Sequence, residues 1–156
     1  MRLSDHFTLA EMCKSQVAER RGIDQTPNEE IIKNLRALCE AVLEPVRDNY
    51  KIPIIPSSGY RSPELNRAIG GSQNPQSQHC IGAAVDFEVA SISNVDVARW
   101  ISEQCAFDKL ILECFDPKVG ANSGWVHCSF VEWQHQRGQV LTFDRISGFS
   151  PGLPSL

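Results

Sequence analysis

The first third of the chain shows the apolar spacing of helices. In FTLAEM, Thr8 precedes a helical pattern and Glu11 follows three residues later, so the two are expected to form a capping box. After TPNEE, apolar residues recur every three or four positions, at Ile31, Leu35, Leu38, Val42 and Val46. This spacing predicts one long amphipathic helix, with Thr26 as its cap and Pro27 as its first residue. Pro45 lacks an amide donor and is expected to kink this helix or to separate its last turns.

Later segments alternate between strand and helix patterns. A short strand is predicted around Ile54 and Ile55, and a helix is predicted to begin at Ser62 and Pro63. AAVDFEV, DKLILECF and GWVHCSF alternate as strands do, whereas SNVDVARWISEQC has helical spacing. The last two strands flank a loop rich in turn-forming residues, which predicts an antiparallel pair. GQVLTFDRI is expected to add an edge strand.

These elements predict an α+β fold, in which a small antiparallel sheet is covered by helices. The chain has 156 residues, enough for one core, and nothing in its composition calls for a second domain. We therefore expect one domain over residues 1–146 and a loose C-terminal tail over residues 147–156. Hydrophobic residues at 42% and charged residues at 22% are ordinary globular values, which argues against a disordered or fibrous chain.

Charge and hydrophobicity narrow the possible partners. A net charge of -4 and a pI near 5.5, without a stripe of Lys and Arg, predict no nucleic-acid partner and no membrane partner. No run approaches the ~18 consecutive apolar residues of a membrane helix. MRLSDHFTLAEM lacks the apolar core of a secretory signal, so synthesis in the cytoplasm is expected. The six cysteines are scattered without a CxxC pair and are expected to be free thiols.

One aspartate stands out in the predicted strands. Asp86 lies among Val85, Phe87 and Val89, and a buried charge left alone costs roughly 3–5 kcal/mol, so a partner is expected. Strand alternation puts Asp86 on the face opposite these apolar neighbours. Its partner is therefore expected on the second face of the strand.

Three residues supply the ligand types of a catalytic zinc ion, which usually has three protein ligands and keeps its fourth position for water: His79, Asp86 and His127. His79 precedes Asp86 by seven residues, and Gly82 permits a tight passage between them. Cys128 points to the face opposite His127 and is not expected to join the set. The spacing alone leaves open a surface histidine and an aspartate bonded to the backbone.

A longer pattern is more specific than this spacing. SGYRSPELNRAIGGSQNPQSQHCIGAAVDF, followed by GWVHCSF, closely resembles the zinc peptidases that include bacterial D-Ala-D-Ala carboxypeptidases, vancomycin-resistance dipeptidases and phage L-alanyl-D-glutamate endolysins. The shared pattern is SxHxxGxAxD, joined later by a histidine on a strand. It falls on Ser77, His79, Gly82, Ala84, Asp86 and His127, with the arginine of GYRS at Arg61. The resemblance runs from about DHFTLAEM to WVHCSF.

The resemblance implies a fold similar to the zinc domain of the hedgehog signalling fragment, and one Zn²⁺ ion per chain bound by His79, Asp86 and His127. It also implies metal-assisted peptide hydrolysis. Arg61 is then expected to stabilise the developing oxyanion or to hold a substrate carboxylate. Ser77 and Tyr60 are further candidates for substrate contacts. A solvated Arg61 and a core Tyr60 are the alternatives.

The catalytic carboxylate departs from the family pattern. Members commonly carry it three residues before the last zinc histidine, where this chain has Gly124. We assign the role to Glu113, in the strand LILECF that is expected to pair with the strand of His127. Asp116 and Glu88 remain rivals. The alternative for Glu113 is a charge on an edge strand that discourages aggregation.

The function implied by the resemblance is that of a monomeric zinc peptidase acting on the stem peptide of bacterial peptidoglycan, once it is delivered or released to the cell wall. The D-Ala-D-Ala and L-Ala-D-Glu bonds both stay open, because loops 71–78 and 116–124 carry no readable specificity. Two alternatives are a non-catalytic, zinc-containing module that binds cell wall and a virion component that grips it.

Overall fold

Helices occupy most of the first half of the chain, and the sheet is built from the second half. The computed structural model describes residues 1–132 and 135–155. Six α-helices are described: α1 (Leu9–Cys13), α2 (Gln16–Arg21), α3 (Glu29–Leu38), α4 (Glu44–Tyr50), α5 (Pro63–Ala68) and α6 (Asn94–Gln104). A π-helical turn (Cys39–Leu43) joins α3 to α4, and a 3₁₀ turn spans Gln78–Ile81.

Side-chain caps begin most of these helices, and the caps predicted for α1 and α5 are confirmed. Thr8 and Glu11 form the expected capping box at α1. Ser62 caps α5, whose first residue is Pro63, and Ser93 caps α6. Each cap satisfies an amide at the helix start that has no partner within the helix.

The predicted start of α3 is wrong by two residues. Asn28, not Thr26, is the cap, and its Oδ1 accepts a hydrogen bond from the amide of Ile31 at 2.9 Å. Thr26 instead donates its amide and hydroxyl to Oδ1 of Asp24, at 2.9 and 2.6 Å. Pro27 therefore precedes the helix. Both Thr and Asn are good caps, and the turn formed by Asp24 removes Thr26 from the competition.

Pro45 divides the long helix as expected. The amide of Glu44 bonds the carbonyl of Cys39, five residues earlier, so the helix widens into a π turn immediately before Pro45. Proline has no amide hydrogen, and the widened turn accommodates it without ending the helix. In the predicted apolar stripe, Ile31 is partly buried, and four residues are at 0% exposure: Leu35, Leu38, Val42 and Val46.

Five strands form one mixed sheet in the order β1-β3-β2-β4-β5. Their bounds are β1 (Ala84–Phe87), β2 (Lys109–Glu113), β3 (Trp125–Ser129), β4 (Gln139–Asp144) and β5 (Gly148–Pro151). The α+β class is confirmed, but the sheet is not purely antiparallel, because β2 and β4 pair in parallel. β5 pairs with β4, so β4 is not an edge, and the predicted loose tail contributes a strand. Residue 156 of that tail lies outside the described residues.

The short strand predicted around Ile54 is absent. Ile54 is buried, but Ile55 is 80% exposed, and residues 51–56 form no ladder. Pro53 and Pro56 lack the amide hydrogens that such a ladder needs. The chain reaches the sheet only at Ser58, which forms an isolated bridge with Asp86.

The sheet has one face covered by helices. Val85, Phe87, Leu110, Val126 and Cys128 pack in the same core cluster as the buried stripe of α3 and the apolar residues of α6. Strand alternation directs Asp86 and His127 to the other face. Among the described residues, no helix combines the length and apolarity needed to cross a bilayer.

Candidate metal centre

His79 is held by a tight turn packed against α3. Its amide donates to Oγ of Ser77 at 3.2 Å, which caps the 3₁₀ turn. Gly82 ends the turn at a φ of 74°, and a Cβ there would lie 2.9 Å from Ile31. Only glycine tolerates both the left-handed backbone and this approach. The turn leaves His79 1% exposed and directed at the sheet.

The carbonyl of Gly59 orients the His79 ring. It lies 2.6 Å from Nδ1, and because a carbonyl only accepts, Nδ1 carries the proton. A Cβ on Gly59 would lie 2.3 Å from the carbonyl oxygen of Met12, so a larger residue would displace this segment. Sequence patterns did not predict this contact between Gly59 and His79. Its one signal was the glycine of SGYRS, directly before the motif arginine.

Asp86 and His127 face each other across paired strands. They are Cα partners in the antiparallel β1–β3 ladder, and Nδ1 of His127 lies 2.9 Å from Oδ1 of Asp86. Nε2 of His79 lies 3.3 Å from Oδ2 of the same carboxylate. The two imidazole rings stand edge to face, with centroids 5.2 Å apart. The structure thus brings together the three residues singled out as ligands.

Asp86 is charged although it is buried. Burial pushes its pKa upward, but its contacts with His127 and His79 outweigh burial and hold the pKa well below its usual range. The partner that the sequence required for Asp86 is therefore the pair of histidines.

The geometry fits a divalent metal ion. Within the described part of the chain, three residues offer ligand atoms that lie within 4.8 Å of one another: His79, Asp86 and His127. We call these three residues the metal group. Bonds from zinc to N or O are about 2.0–2.2 Å long, so two ligands of one ion are at most about 4.4 Å apart, and a separation of 4.8 Å has to shorten by about 0.4 Å when an ion binds. When Nδ1 of a neutral His79 carries the proton, Nε2 has a lone pair, and this lone pair faces Oδ2 of Asp86. Two lone pairs 3.3 Å apart need a proton or a cation between them.

Position 124 cannot carry the carboxylate that the family pattern leads one to expect. Gly124 has a φ of 69°, and a Cβ there would lie 1.9 Å from the carbonyl oxygen of Glu113. The approach is between two backbone segments, so a side chain cannot be accommodated by a rotamer change. A catalytic carboxylate has to come from another position.

Glu113, the residue assigned this role from the sequence, lies on the same sheet face as His127. It is the Cα partner of Trp125 in the β2–β3 ladder, two residues from the pair Ile111–His127, and therefore on the face of His127. Burial raises the pKa of Glu113, and Asp86 raises it further, against the lowering effect of His127 and Arg61. Since β2 lies between β3 and β4, the edge-strand interpretation is wrong.

The two rival carboxylates serve turns and neighbouring side chains. Oδ1 of Asp116 accepts the amide of Lys118 at 2.9 Å in an exposed loop. Oε1 of Glu88 accepts a hydrogen bond from the side chain of Asn94 at 2.9 Å. Neither has the half-buried position on the strand face of His127 that Glu113 occupies.

Arg61 lies beside the metal group. Its amide donates to the carbonyl of His79 at 3.1 Å, and Nη2 donates to Ser77 Oγ at 3.3 Å. Burial lowers the pKa of Arg61, while the charges of Asp86 and Glu113 raise it. The solvated alternative is therefore wrong. Ser77 contacts both Arg61 and the turn of His79, and Tyr60 is 5% exposed within the core cluster, which favours its structural role.

Two buried N–H donors lack an acceptor among the described residues, Arg61 Nε and Trp125 Nε1. Trp125 shares a strand face with His127, so both donors belong to the surroundings of the metal group. A buried donor without a partner costs about 1–3 kcal/mol. Such groups are tolerated where a ligand or water completes the bond.

The remaining histidines and cysteines lie elsewhere. His6 is exposed and bonds Glu44, and His135 is exposed. Cys128 is fully buried on the opposite sheet face, and burial raises its pKa. Cys80 is buried next to His79 but is not in the metal-ligand group. All six cysteines are unpaired.

An α+β sheet that carries a His–Asp–His group beside a half-buried glutamate is the arrangement of a metal-dependent hydrolase. The chain matches the family Peptidase M15 over residues 5–129 and belongs to it. It is therefore a zinc-dependent peptidase. The matched range includes all three candidate ligands and Glu113, and it ends before β4 and β5. A comparison with curated proteins finds no match.

Proposed function

We propose that this peptidase hydrolyses a peptide bond in the stem peptide of bacterial peptidoglycan. Family membership supports the substrate class. The observation that favours an enzyme over a wall-binding module is the position of Glu113, half-buried on the strand face of His127. The missing carboxylate at position 124 was the main reason to consider a non-catalytic module. Glu113 offers a carboxylate from another position.

The donor set supports three metal ligands. His79 binds through Nε2, because its Nδ1 donates to Gly59, and Asp86 and His127 complete the set. A zinc ion held there supplies a Lewis acid that polarises the scissile carbonyl and lowers the pKa of a bound water to about 7.

Glu113 acts as the general base in this proposal. Its raised pKa makes the carboxylate a better proton acceptor than an exposed glutamate. It takes the proton of the attacking water and returns it to the leaving amine. Desolvation by the surrounding strand residues is the physical source of this basicity.

Arg61 binds the negative charge of the substrate. The bond to Ser77 and the backbone bond to His79 fix the guanidinium beside the metal group. A planar, permanently charged group held in place stabilises an oxyanion or a carboxylate better than a mobile lysine does. The unpartnered Nε–H of Arg61 is a donor available for that bond.

The test is mass spectrometry of muropeptides after incubation with the zinc-loaded protein, because the product masses name the bond. Glu113→Gln should keep its zinc and its fold while losing about 10²–10⁴ in rate, since the amide cannot take a proton. Asp116→Asn and Glu88→Gln are the matched controls and should lose much less. If Glu113→Gln keeps the wild-type rate while Asp116→Asn or Glu88→Gln is inactive, the general base is the residue whose variant is inactive. No product from any peptidoglycan would favour the binding module.

A further inference from the structure

A cleft of about 590 Å³ opens beside the end of the strand pair that carries Glu113 and His127. One wall is the segment that follows β2, with Cys114 and Phe115. The other wall is the turn between β4 and β5, with Arg145 and Ile146, and Trp125 of β3 also lines the cleft. The β4–β5 hairpin follows the residues that match the family, so the family match does not cover this wall of the cleft.

The cleft lies at a defined distance from the metal group. Trp125 and His127 are two residues apart on one strand face, which corresponds to about 7 Å along β3. An extended peptide also advances about 3.3–3.6 Å per residue. A peptide cleaved at the metal group therefore places in the cleft a residue about two positions from the cleaved bond.

The turn that carries Arg145 is held firmly. Oδ1 of Asp144 accepts the amides of Ile146 and Ser147, at 2.7 and 3.2 Å. The rings of Phe143 and Phe149 lie 4.7 Å apart across the hairpin. These contacts fix the backbone at Arg145 before any ligand binds, which lowers the entropic cost of binding.

Arg145 is the cation of the cleft whose side chain contacts the opposite wall and has no acidic partner among the described residues. Its Nε donates to Sγ of Cys114 at 3.3 Å, which leaves the two Nη groups for a ligand. No ion pair joins its guanidinium to a carboxylate of the described residues. The cleft's own acids, Asp116 and Asp144, have Oδ1 turned to backbone amides. The walls carry two acidic and two basic side chains, so their net charge is zero. An anion is therefore bound by direct contact with Arg145 and not by the overall charge of the cleft.

We propose that this cleft is a specificity subsite for a carboxylate-bearing residue of the peptide substrate, and that Arg145 binds the carboxylate. The inference rests on the proposed peptidase function and adds the chemistry of a substrate residue away from the cleaved bond. The indole of Trp125 packs against the aliphatic part of that residue, and the Nη groups of Arg145 bond its carboxylate. Arg145 is thus a specificity-determining residue outside the metal group.

The test uses synthetic stem peptides that differ only in glutamate or glutamine two positions from the cleaved bond. Two such pairs cover the two sides of the bond. Wild type should prefer the acidic member of one pair by about 10- to 100-fold in kcat/KM, which is the range of a hydrogen bond to a charged group. Arg145→Gln should lose this preference, because kcat/KM for the glutamate peptide falls toward that for the glutamine peptide. Arg145→Lys should keep part of the preference for the glutamate peptide, because lysine keeps the positive charge but cannot form two parallel hydrogen bonds to a carboxylate.

Arg20→Gln is the matched control, because it makes the same charge change on α2, away from the cleft. It should retain the full preference. An Arg145→Gln variant with an unchanged preference, or a wild type that does not distinguish the two members of either pair, overturns the subsite.

A binding measurement separates failure of the subsite from failure of the proposed function. Affinities of the same peptides for zinc-loaded Glu113→Gln are compared with those for the double variant with Arg145→Gln. If no peptide is cleaved but the acidic preference in affinity disappears with Arg145, the subsite stands and the hydrolytic function fails. If affinity shows no dependence on Arg145, the subsite is wrong whatever the rates.

Discussion

Two buried aspartates, Asp86 in β1 and Asp108 immediately before β2, have the same low exposure and different partners. They are 9% and 4% exposed. Asp108 accepts a fork of bonds from Arg137, with Nη2 at 2.6 Å, and a further bond from the side chain of Gln78 at 2.9 Å. Asp86 has the two histidines as its side-chain partners. One carboxylate is satisfied by permanent donors, and the other by groups that are themselves metal ligands.

The pKa is lowered at both positions, for different reasons. At Asp108 the hydrogen bond from Arg137 is the largest influence. At Asp86 burial acts in the opposite direction and is outweighed by the contacts with His127 and His79. A lowered pKa therefore does not by itself identify a functional carboxylate. The chemistry of the partners does, because only the partners of Asp86 can share a cation with it.

The two carboxylates also differ in how they serve His79. Asp86 directly faces the imidazole ring of His79. Asp108 accepts a hydrogen bond from the side chain of Gln78, the first residue of the 3₁₀ turn that carries His79. Asp108 thus anchors the backbone of the site, and Asp86 belongs to its chemistry.

The largest expected difference is in bound zinc. Wild type should carry close to one zinc per chain, and Asp86→Ala, His79→Ala and His127→Ala should each lose it, because two remaining ligands hold an ion poorly. Hydrolysis should be lost with the metal. Asp108→Asn should keep its zinc, as should Cys128→Ser, whose side chain lies on the other sheet face. Elemental analysis that finds full occupancy in two of the ligand variants would refute the assigned ligand set.

Removal of the metal should lower the stability of the wild type and of Asp108→Asn, but not that of Asp86→Ala. A ligand at about 100 times its Kd stabilises the folded state by about 2.7 kcal/mol. For a chain of this size, chelation should therefore lower Tm by roughly 5–10 °C. Asp108→Asn should start from a lower Tm and show the same drop, whereas Asp86→Ala should show none. An identical melting curve for wild type before and after verified zinc removal would mean that the histidines alone stabilise Asp86.

Local patterns predicted much of the metal group. Ser77, His79, Gly82 and Asp86 lie within ten residues, and their roles depend on a turn and a strand that the adjacent sequence determines. Strand alternation placed His127 on the correct face for the same reason. The capping serine of α5 was equally local.

Long-range pairings were beyond the reach of these patterns. The bond between Gln78 and Asp108 joins residues 30 positions apart, and the fork from Arg137 spans 29. The parallel pairing of β4 with β2 and the addition of β5 depend on tertiary packing, which periodicity does not encode. Glu113 was assigned from its strand context, but the steric reason that excludes position 124 needed the φ of Gly124 and its approach to the neighbouring strand.

The smallest expected effect concerns the pH dependence of the Asp108 pair. Its folded pKa lies below the unfolded value of about 3.9, so its contribution is complete above that value and is lost as the pH falls toward the folded pKa. Asp108→Asn should lower the free energy of unfolding by about 1–3 kcal/mol at pH 7. The lower part of this range is expected, because the side chain of Arg137 is 55% exposed and its charge stays solvated when the pair is broken. Urea denaturation with a chelator present, which removes the pH dependence of metal binding, should show the difference from wild type shrinking below about pH 4. Arg137→Gln should follow the same course, since it removes the other half of the pair. A difference that stays constant from pH 7 down to the acid transition would assign the stabilisation to packing around Asp108 and not to its charge.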